Sequence, residues 1–220
     1  MTKEQLLFSL LRSQINNEPI ELSGKSINGD LLRQMLQLAQ YHNIAHLAAY
    51  ALLNNRLSSD DPLFSVCENY VLMEMANDAR RTYALNNLQA LFEKHGIAYM
   101  LLKGSVLRQL YSDTWMRNSC DIDILVHREE VETIASLLMN ELEYTVLHRG
   151  LHDITLTHSK VNLELHFDLI EEGRAKQATS VLNDVWKYAS HSDGSCAYSL
   201  SNEFFYFYHI AHMAKHMTNG

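Results

Sequence analysis

The sequence predicts an α+β protein, in which a small mixed sheet over residues 96–172 lies between helical segments over residues 1–95 and 173–220. The first reason is that the 220 residues include only two Pro and eight Gly, which favours long uninterrupted helices. The second is that strand-like and helix-like patterns alternate only in the middle of the chain. An apolar content of 47% is enough to build a core.

The N-terminal segment has the spacing of amphipathic helices joined by loops. Leu residues recur on one side of the first helix. Asp30 has the position of a helix cap, and Asp61-Pro62 resembles an N-cap followed by a first-turn Pro. Residues 17–29 contain Pro19 and two Gly and are predicted to form a loop. The predicted helices cover residues 3–16, 30–39, 44–53 and 61–93.

The middle and end of the chain predict the sheet and the last helices. A two-residue turn at Ser159-Lys160 joins two alternating segments into a hairpin. The predicted strands cover residues 97–102, 121–126, 144–148, 153–158 and 161–169. The predicted helices of this part cover residues 106–112, 129–142, 175–189 and 202–217, with a loop around Gly194.

Composition excludes several classes of protein. No apolar run is long enough for a transmembrane helix, and the first residues lack the pattern of a signal peptide. The three Cys are widely spaced, which favours a reducing cytoplasm. The net charge is −8 and the basic residues are scattered, so long nucleic acid is disfavoured as a partner.

The most informative motif is a Gly-Ser turn followed by an Asp-x-Asp strand. Gly104-Ser105 follows a predicted buried strand, where a turn can offer N–H groups and a hydroxyl to phosphate. In the next strand, Asp121 and Asp123 share one face at a spacing of roughly 6–7 Å. Two such carboxylates repel each other and call for a cation, and an oxygen-only pair suits Mg²⁺. The competing interpretation is a strand that ends in two solvated acids.

A third acid lies on the alternating segment over residues 161–169. Its odd positions are apolar, and its polar face carries Glu164, His166 and Asp168. If this strand neighbours the Asp121–Asp123 strand, Glu164 completes a cluster of three carboxylates. Asp168 is the competing candidate, closer to the strand end. His166 could orient Glu164 or contact an acceptor, or it could be a structural residue.

These residues together resemble the polymerase-beta-type nucleotidyltransferase superfamily and, more narrowly, its uncharacterised bacterial nucleotidyltransferase family. The resemblance covers roughly residues 30–220. One departure is that the gap between the Gly-Ser turn and the Asp-x-Asp strand is longer than in minimal members. The matching positions are Lys103-Gly104-Ser105, Tyr111, Arg117, Asp121-Ile122-Asp123 and Glu164-Leu165-His166.

The resemblance implies Mg²⁺-dependent transfer of an NMP, AMP by default, from an NTP to a hydroxyl of a small molecule or protein. Asp121, Asp123 and Glu164 would be the catalytic and metal-binding residues, with two Mg²⁺ ions expected and Mn²⁺ as an alternative. The implied nucleotide-binding residues are Lys103, Gly104, Ser105 and Arg117. The alternative is a non-catalytic module on the same fold that senses a nucleotide or binds a partner. The acceptor and the base stay open.

The C-terminal helix carries aromatic residues over 204–208 and three His on one face. His209, His212 and His216 could hold a metal or phosphate, as in a metal-dependent phosphohydrolase, or pack in an interface. Members of the resembled family usually continue with further helices. We therefore expect either a short member or a truncated chain, with a homodimer through the aromatic helix as one way to cover it.

Overall fold

The computed structural model describes residues 1–20, 28–55, 60–169, 181–191 and 193–217, with side chains to residue 213. The chain divides into two compact units. The first unit comprises Met1–Ala79 and Tyr111–Asn118. The second comprises Arg80–Leu110 and Ser119–Gly220. The division falls within one long helix, so it differs from the boundary at residue 95 that composition suggests.

The first unit is helical, and its helices begin where capping residues stand. Thr2 and Gln5 form a reciprocal capping box at the start of α1. The side chain of Asn28 accepts a hydrogen bond from the Leu31 N–H at the start of α2. The helices are α1 Lys3–Asn16, α2 Gly29–Tyr41, α3 Ala45–Asn55 and the first part of α4 Phe64–His95.

The core of the first unit also includes a short segment from later in the chain. A 3₁₀ turn at Thr114–Met116 buries Trp115, whose ring meets the edge of Tyr50 at 5.0 Å. The His46 ring nitrogen lies 3.0 Å from the Met116 carbonyl. Thr114 donates a 2.8 Å hydrogen bond to Asp78. These contacts hold residues 111–118 among the helices of the first unit.

The second unit is built on a seven-stranded mixed sheet, with strand order β3-β4-β5-β2-β1-β7-β6. The pairs β2–β5 and β1–β7 are parallel, and the other pairs are antiparallel. The strands are β1 Tyr99–Leu101, β2 Asp121–Val126, β3 Thr145–Arg149, β4 Asp153–His158, β5 Val161–His166, β6 Ala189–His191 and β7 Ala197–Leu200.

Helices cover both faces of this sheet. On one face, Ile122 and Ile124 pack in a core with Phe92 of α4 and with α6, Val131–Leu142. On the other face, Leu125 packs in a second core with Phe204 and Tyr208 of α7, Asn202–Met217. A short helix, α5 Lys103–Leu107, follows β1. Among the described helices, none combines the length and the apolar character needed to cross a membrane.

The predicted fold class is confirmed, and most elements lie where the patterns place them. The helices over residues 3–16 and 202–217 and the strands over 121–126 and 153–158 have the predicted bounds. The hairpin is confirmed as well. Ser159 and Lys160 have φ of 49° and 65°, as tight hairpin turns require.

The prediction of a helical C-terminal segment is wrong in part. Where a helix was expected to residue 189, Val185–Tyr188 forms a 3₁₀ turn and Ala189–His191 is a strand. Ala197–Leu200 is a further strand, which pairs in parallel with β1. Strands this short carry too few residues to show a period. Residues 170–180 and 21–27 lie outside the described residues, so the rest of that helix and most of the N-terminal loop stay predictions.

A smaller correction concerns the helix after β1. It begins at Lys103 and not at Val106, and it tightens into a 3₁₀ turn at Arg108–Leu110. The difference places Lys103 in the first helical turn beside the sheet, which matters for the site.

Candidate active site

The strands β2 and β5 bring two carboxylates and one imidazole together. Asp123 stands opposite Glu164 in the parallel ladder, and His166 follows Glu164 on the same face. Ligand atoms of these three residues all lie within 4.8 Å of one another. The prediction that Glu164 neighbours the Asp-x-Asp strand is therefore confirmed. This group of Asp123, Glu164 and His166 is called the inner cluster below.

Backbone hydrogen bonds hold the strand that carries the acids. The Asp123 carbonyl accepts a 3.0 Å bond from the Leu102 N–H, which fixes the end of β1 beside the cluster. Ahead of the strand, Arg81 of α4 donates a 2.6 Å bond to the Ser119 carbonyl. The Ser119 hydroxyl donates to the Asp121 carbonyl at 3.1 Å. Asp121 and Asp123 are thus carried by a hydrogen-bonded strand and not by a loop.

Asp121 lies next to the inner cluster, two residues before Asp123 on the same face of β2. It stands opposite Asn162 in the ladder and is partly exposed. Burial raises the pKa of Asp121, and the negative charges of Asp123 and Glu164 raise it further. A divalent cation at this face would remove that repulsion, because it would compensate all three carboxylates.

Lys103 provides the positive charge that the acids face in this structure. Its ammonium nitrogen lies 2.6 Å from Asp123 Oδ1 and 3.5 Å from Glu164 Oε2. The Lys103 backbone has φ of 39°, a left-handed conformation that costs a non-Gly residue of order 1 kcal/mol. The surrounding fold must hold this residue in place. Lys103 therefore contacts two of the acids, and its predicted role at the phosphates of a nucleotide stays a prediction.

His166 is the second cationic partner of the acids. Its Nε2 lies 3.0 Å from Asp123 and 3.2 Å from Glu164. Burial lowers the pKa of His166, but its hydrogen bonds to the two carboxylates outweigh burial and raise it. Burial likewise opposes ionisation of Asp123, but the His166 hydrogen bond and the Lys103 charge hold its pKa well below the usual range. Asp123 is only 2% exposed, so this compensation is what allows it to stay ionised.

Gly104 and Ser105 follow Lys103 and are both buried. The Ser105 N–H donates a 3.1 Å hydrogen bond to the Leu102 carbonyl, so this N–H is already used. Arg117 belongs to the first unit, where its guanidinium contacts the Asn118 carbonyl at 3.5 Å. The phosphate-binding roles of these residues stay predictions.

Asp168, the competing third acid, has a different partner. Its carboxylate pairs with the Arg128 guanidinium, which lies 4.7 Å from the centre of the Phe167 ring. Glu164 and not Asp168 is therefore the acid that joins Asp123.

Tyr208 lies near the site but was not predicted to do so. It is buried in the core that contains Leu125, the residue that follows Asp123 on the same face of β2. Burial raises the pKa of Tyr208, and the charges of Asp123 and Glu164 raise it further. In the sequence, nothing distinguishes Tyr208 from the aromatic residues that precede it. Only the packing of α7 shows that Tyr208 lies in the core with Leu125.

The His residues of α7 pack against aromatic rings. His209 meets the Phe205 ring edge-on at 4.4 Å, and His212 lies 6.0 Å from Tyr208 between ring centres. The side chain of His216 lies outside the described residues. Within the described part of the chain, the cluster of potential metal ligands is the inner cluster, which contains no residue of α7. The alternative metal site on this helix thus gains no support.

The residues at the face of β2 and β5 fit a divalent cation. Two facing carboxylates and an imidazole supply donor atoms, with Asp121 adjacent. The Lys103 ammonium already lies among these donors, which shows that the position suits positive charge.

Comparison with known proteins shows the family to which this chain belongs. The family model described as uncharacterised nucleotidyltransferase matches residues 31–220. The chain is therefore a member of this uncharacterised nucleotidyltransferase family. The expected resemblance is confirmed at the level of the family. Among proteins with curated descriptions, none matches this chain.

Two solved structures are similar in part. The solution structure of the antibiotic-resistance factor ANT(2'')-Ia is 12% identical, and the match covers 54% of this chain and 60% of that chain with a TM-score of 0.39. The crystal structure of a putative nucleotidyltransferase from Thermotoga maritima is 17% identical. That match covers 64% of this chain and 90% of the other, with a TM-score of 0.43.

Proposed function

We propose that this chain is a Mg²⁺-dependent nucleotidyltransferase that moves an NMP, with AMP as the first choice, from an NTP to a hydroxyl group. The observation that carries the proposal is that Asp123 stands opposite Glu164 across β2 and β5, in a chain that belongs to the uncharacterised nucleotidyltransferase family. Such a pair, with Asp121 beside it, is a set of oxygen donors suited to metal-assisted phosphoryl chemistry.

In this proposal, two Mg²⁺ ions, with Mn²⁺ as an alternative, are bound by Asp121, Asp123 and Glu164. When bound, the ions neutralise the phosphates and lower the pKa of the acceptor hydroxyl. Asp123, buried at the centre, holds its place through His166. The side chain of Glu164 is 30% exposed. Glu164 is therefore the carboxylate that can reach the acceptor hydroxyl and accept its proton.

The nucleotide would be held by the residues around the β1–α5 junction. Lys103 would leave Asp123 as the cation enters, and its ammonium would then neutralise the phosphates. Gly104 and Ser105 would line the phosphates. Arg117 belongs to the first unit, and its role as a second positive charge rests on the family resemblance alone. Of these four roles, that of Lys103 has the most support, because its ammonium already lies at the acids.

The acceptor is proposed to be a small molecule or a protein hydroxyl, because the net charge of −8 disfavours long nucleic acid. Residues 96–172 would be the catalytic core. The thiols of Cys67, Cys120 and Cys196 are free, which suits a cytoplasmic protein.

A homodimer through α7 is also proposed, since the helix exposes Tyr206, Ile210 and Met213. Light scattering of the purified chain would test it.

The test uses each NTP labelled at the α-phosphate, incubated with Mg²⁺, the protein and candidate acceptors. We expect pyrophosphate release, and acid precipitation separates labelled protein from labelled small molecules. Asp123→Asn should abolish both signals. Asp168→Asn is the matched control, since this acid pairs with Arg128 away from the cluster.

Nucleotide binding is measured in parallel by thermal melting. A ligand at a hundred times its Kd stabilises a protein by about 2.7 kcal/mol. A Mg²⁺-dependent shift that Asp123→Asn removes, without turnover on any acceptor, would favour the non-catalytic nucleotide-sensing module. No shift with any NTP would contradict both functions.

A further inference from the structure

The acids and His166 form a site with two chemically different ends. At the inner end, His166 Nε2 lies 3.0 Å from Asp123 and 3.2 Å from Glu164. At the outer end, Asp121 lies two ladder positions from Asp123, on the side away from His166, and stands opposite Asn162. The inner end thus presents a nitrogen and two oxygens. The outer end presents carboxylate oxygens alone.

The two ends suit different metal ions. Mg²⁺ strongly prefers oxygen ligands, requires near-octahedral geometry and usually keeps several waters. Imidazole nitrogen favours first-row transition ions, and carboxylates bind Mn²⁺ well. A donor set of one imidazole and two carboxylates therefore favours a transition ion.

Burial adds to this preference. Asp123 is 2% exposed and His166 is 5% exposed. An ion at the inner end would have little room for the water shell that Mg²⁺ keeps, and would depend on protein donors. The outer end, where Asp121 is partly exposed, has access to solvent.

The inner end already suits a cation. The Lys103 ammonium lies 2.6 Å from Asp123 and 3.5 Å from Glu164, on the same two carboxylates that His166 contacts. A divalent ion entering there would replace the charge of Lys103, and the carboxylates would keep a positive partner throughout.

We infer that His166 is a metal ligand, and that the inner cluster takes a divalent first-row transition ion, represented by Mn²⁺, in preference to Mg²⁺. The outer end, between Asp121 and Asp123, keeps the oxygen-only character that suits Mg²⁺. This inference rests on the proposed function, which needs a divalent ion at these acids but does not need His166 to bind it. If His166 only orients the carboxylates, the metal preference would not depend on its nitrogen.

The experiment measures Mn²⁺ bound to the full chain by electron paramagnetic resonance, with Mg²⁺ as competitor and no nucleotide present. Electron spin-echo spectra of the wild type should show ¹⁴N coupling from a bound imidazole. His166→Gln should lose that coupling and about tenfold or more in Mn²⁺ affinity, with a much smaller loss for Mg²⁺. The control His148→Gln removes an exposed imidazole of β3 and should behave as the wild type.

Absence of ¹⁴N coupling in Mn²⁺-loaded wild type would overturn the inference, and this spectrum decides even where His166→Gln does not fold. Equal losses of Mn²⁺ and Mg²⁺ affinity in the variant would overturn it as well. The proposed function fails separately, if neither ion binds to the wild type with or without NTP. If Asp123→Asn abolishes metal-dependent NTP binding while His166→Gln changes nothing, the function stands and the inference fails.

Discussion

Lys103 and Asp123 form a nearly buried ion pair, with the ammonium nitrogen 2.6 Å from the carboxylate. The side chain of Asp123 is 2% exposed and that of Lys103 is 19% exposed. The pair occupies the face of the sheet where a divalent ion would bind. A bound metal ion would therefore compete with Lys103 for the same carboxylate, and several measurable consequences depend on that competition.

The first prediction is that Lys103→Met tightens metal binding and lowers nucleotidyl transfer. Without the ammonium, an entering ion no longer displaces a hydrogen bond to a charged group, which is worth about 1.5–3 kcal/mol. We expect metal affinity to rise by about tenfold or more, as measured by calorimetric titration. Lys187→Met, which removes an exposed lysine, is the control. Weaker metal binding in Lys103→Met would show that the ammonium does not compete.

The second prediction compares how the loss of Asp123 and the loss of Asp121 change the stability of the fold. Repulsion between them suggests that Asp123→Ala should be tolerated, but in this structure Asp123 neutralises Lys103 and His166. Removing it leaves buried positive charge, so we expect a loss of about 3–5 kcal/mol of unfolding free energy. Urea unfolding without metal measures this loss.

Asp121→Ala is the matched comparison for that measurement. Burial and the charges of Asp123 and Glu164 raise the pKa of Asp121, so its charge is unfavourable in the metal-free fold. We expect this variant to be as stable as the wild type or more stable. Equal destabilisation by the two substitutions would show that Asp123 carries no special ion pair.

The third prediction concerns the pH dependence of the metal-free protein. The pKa of His166 is raised in the fold despite burial, because Asp123 and Glu164 accept its hydrogen bonds. A raised pKa gives stability that is complete below the unfolded value of about 6.5 and is lost as pH rises through the folded value. We expect the melting temperature to fall over that upper range. The fall should be smaller in His166→Gln, and an unchanged profile would refute the role of His166.

Metal should reverse the direction of that pH dependence. A bound ion needs unprotonated ligands, so metal affinity increases as protons leave the site. The melting temperature measured with excess Mn²⁺ should therefore rise toward higher pH. If melting with and without Mn²⁺ shows the same pH profile, no titrating group of the cluster contacts the ion.

The fourth prediction tests the hairpin between β4 and β5. Ser159 and Lys160 both have positive φ, which costs residues with a Cβ. Replacing them by Ser159→Asn and Lys160→Gly supplies the residues that such turns prefer. We expect the free energy of unfolding to rise by about 0.5–1 kcal/mol, as measured by thermal or urea unfolding. A loss would indicate that the Thr157 hydroxyl bond to the Val161 carbonyl depends on the native turn.

The elements that were predicted correctly are those in which the pattern of apolar and polar residues repeats over several residues. The alternation placed Asp121 and Asp123 on one face of β2, and Glu164 on the face of β5 that carries His166, as the structure has them. The strands β6 and β7 were missed because three or four residues do not establish a period. Their place in the sheet depends on pairing of β7 with β1, nearly a hundred residues earlier.

Which residues share a face of a strand follows from the sequence alone, because side chains alternate along a strand wherever that strand lies. The family also follows from the sequence, through motifs that are local in the chain. Three relationships appear only in the folded protein: Asp123 stands opposite Glu164, the Lys103 ammonium lies near both carboxylates, and Tyr208 packs in the core that contains Leu125. These relationships join segments far apart in the chain, and they follow from strand order and helix packing, which local periodicity does not encode.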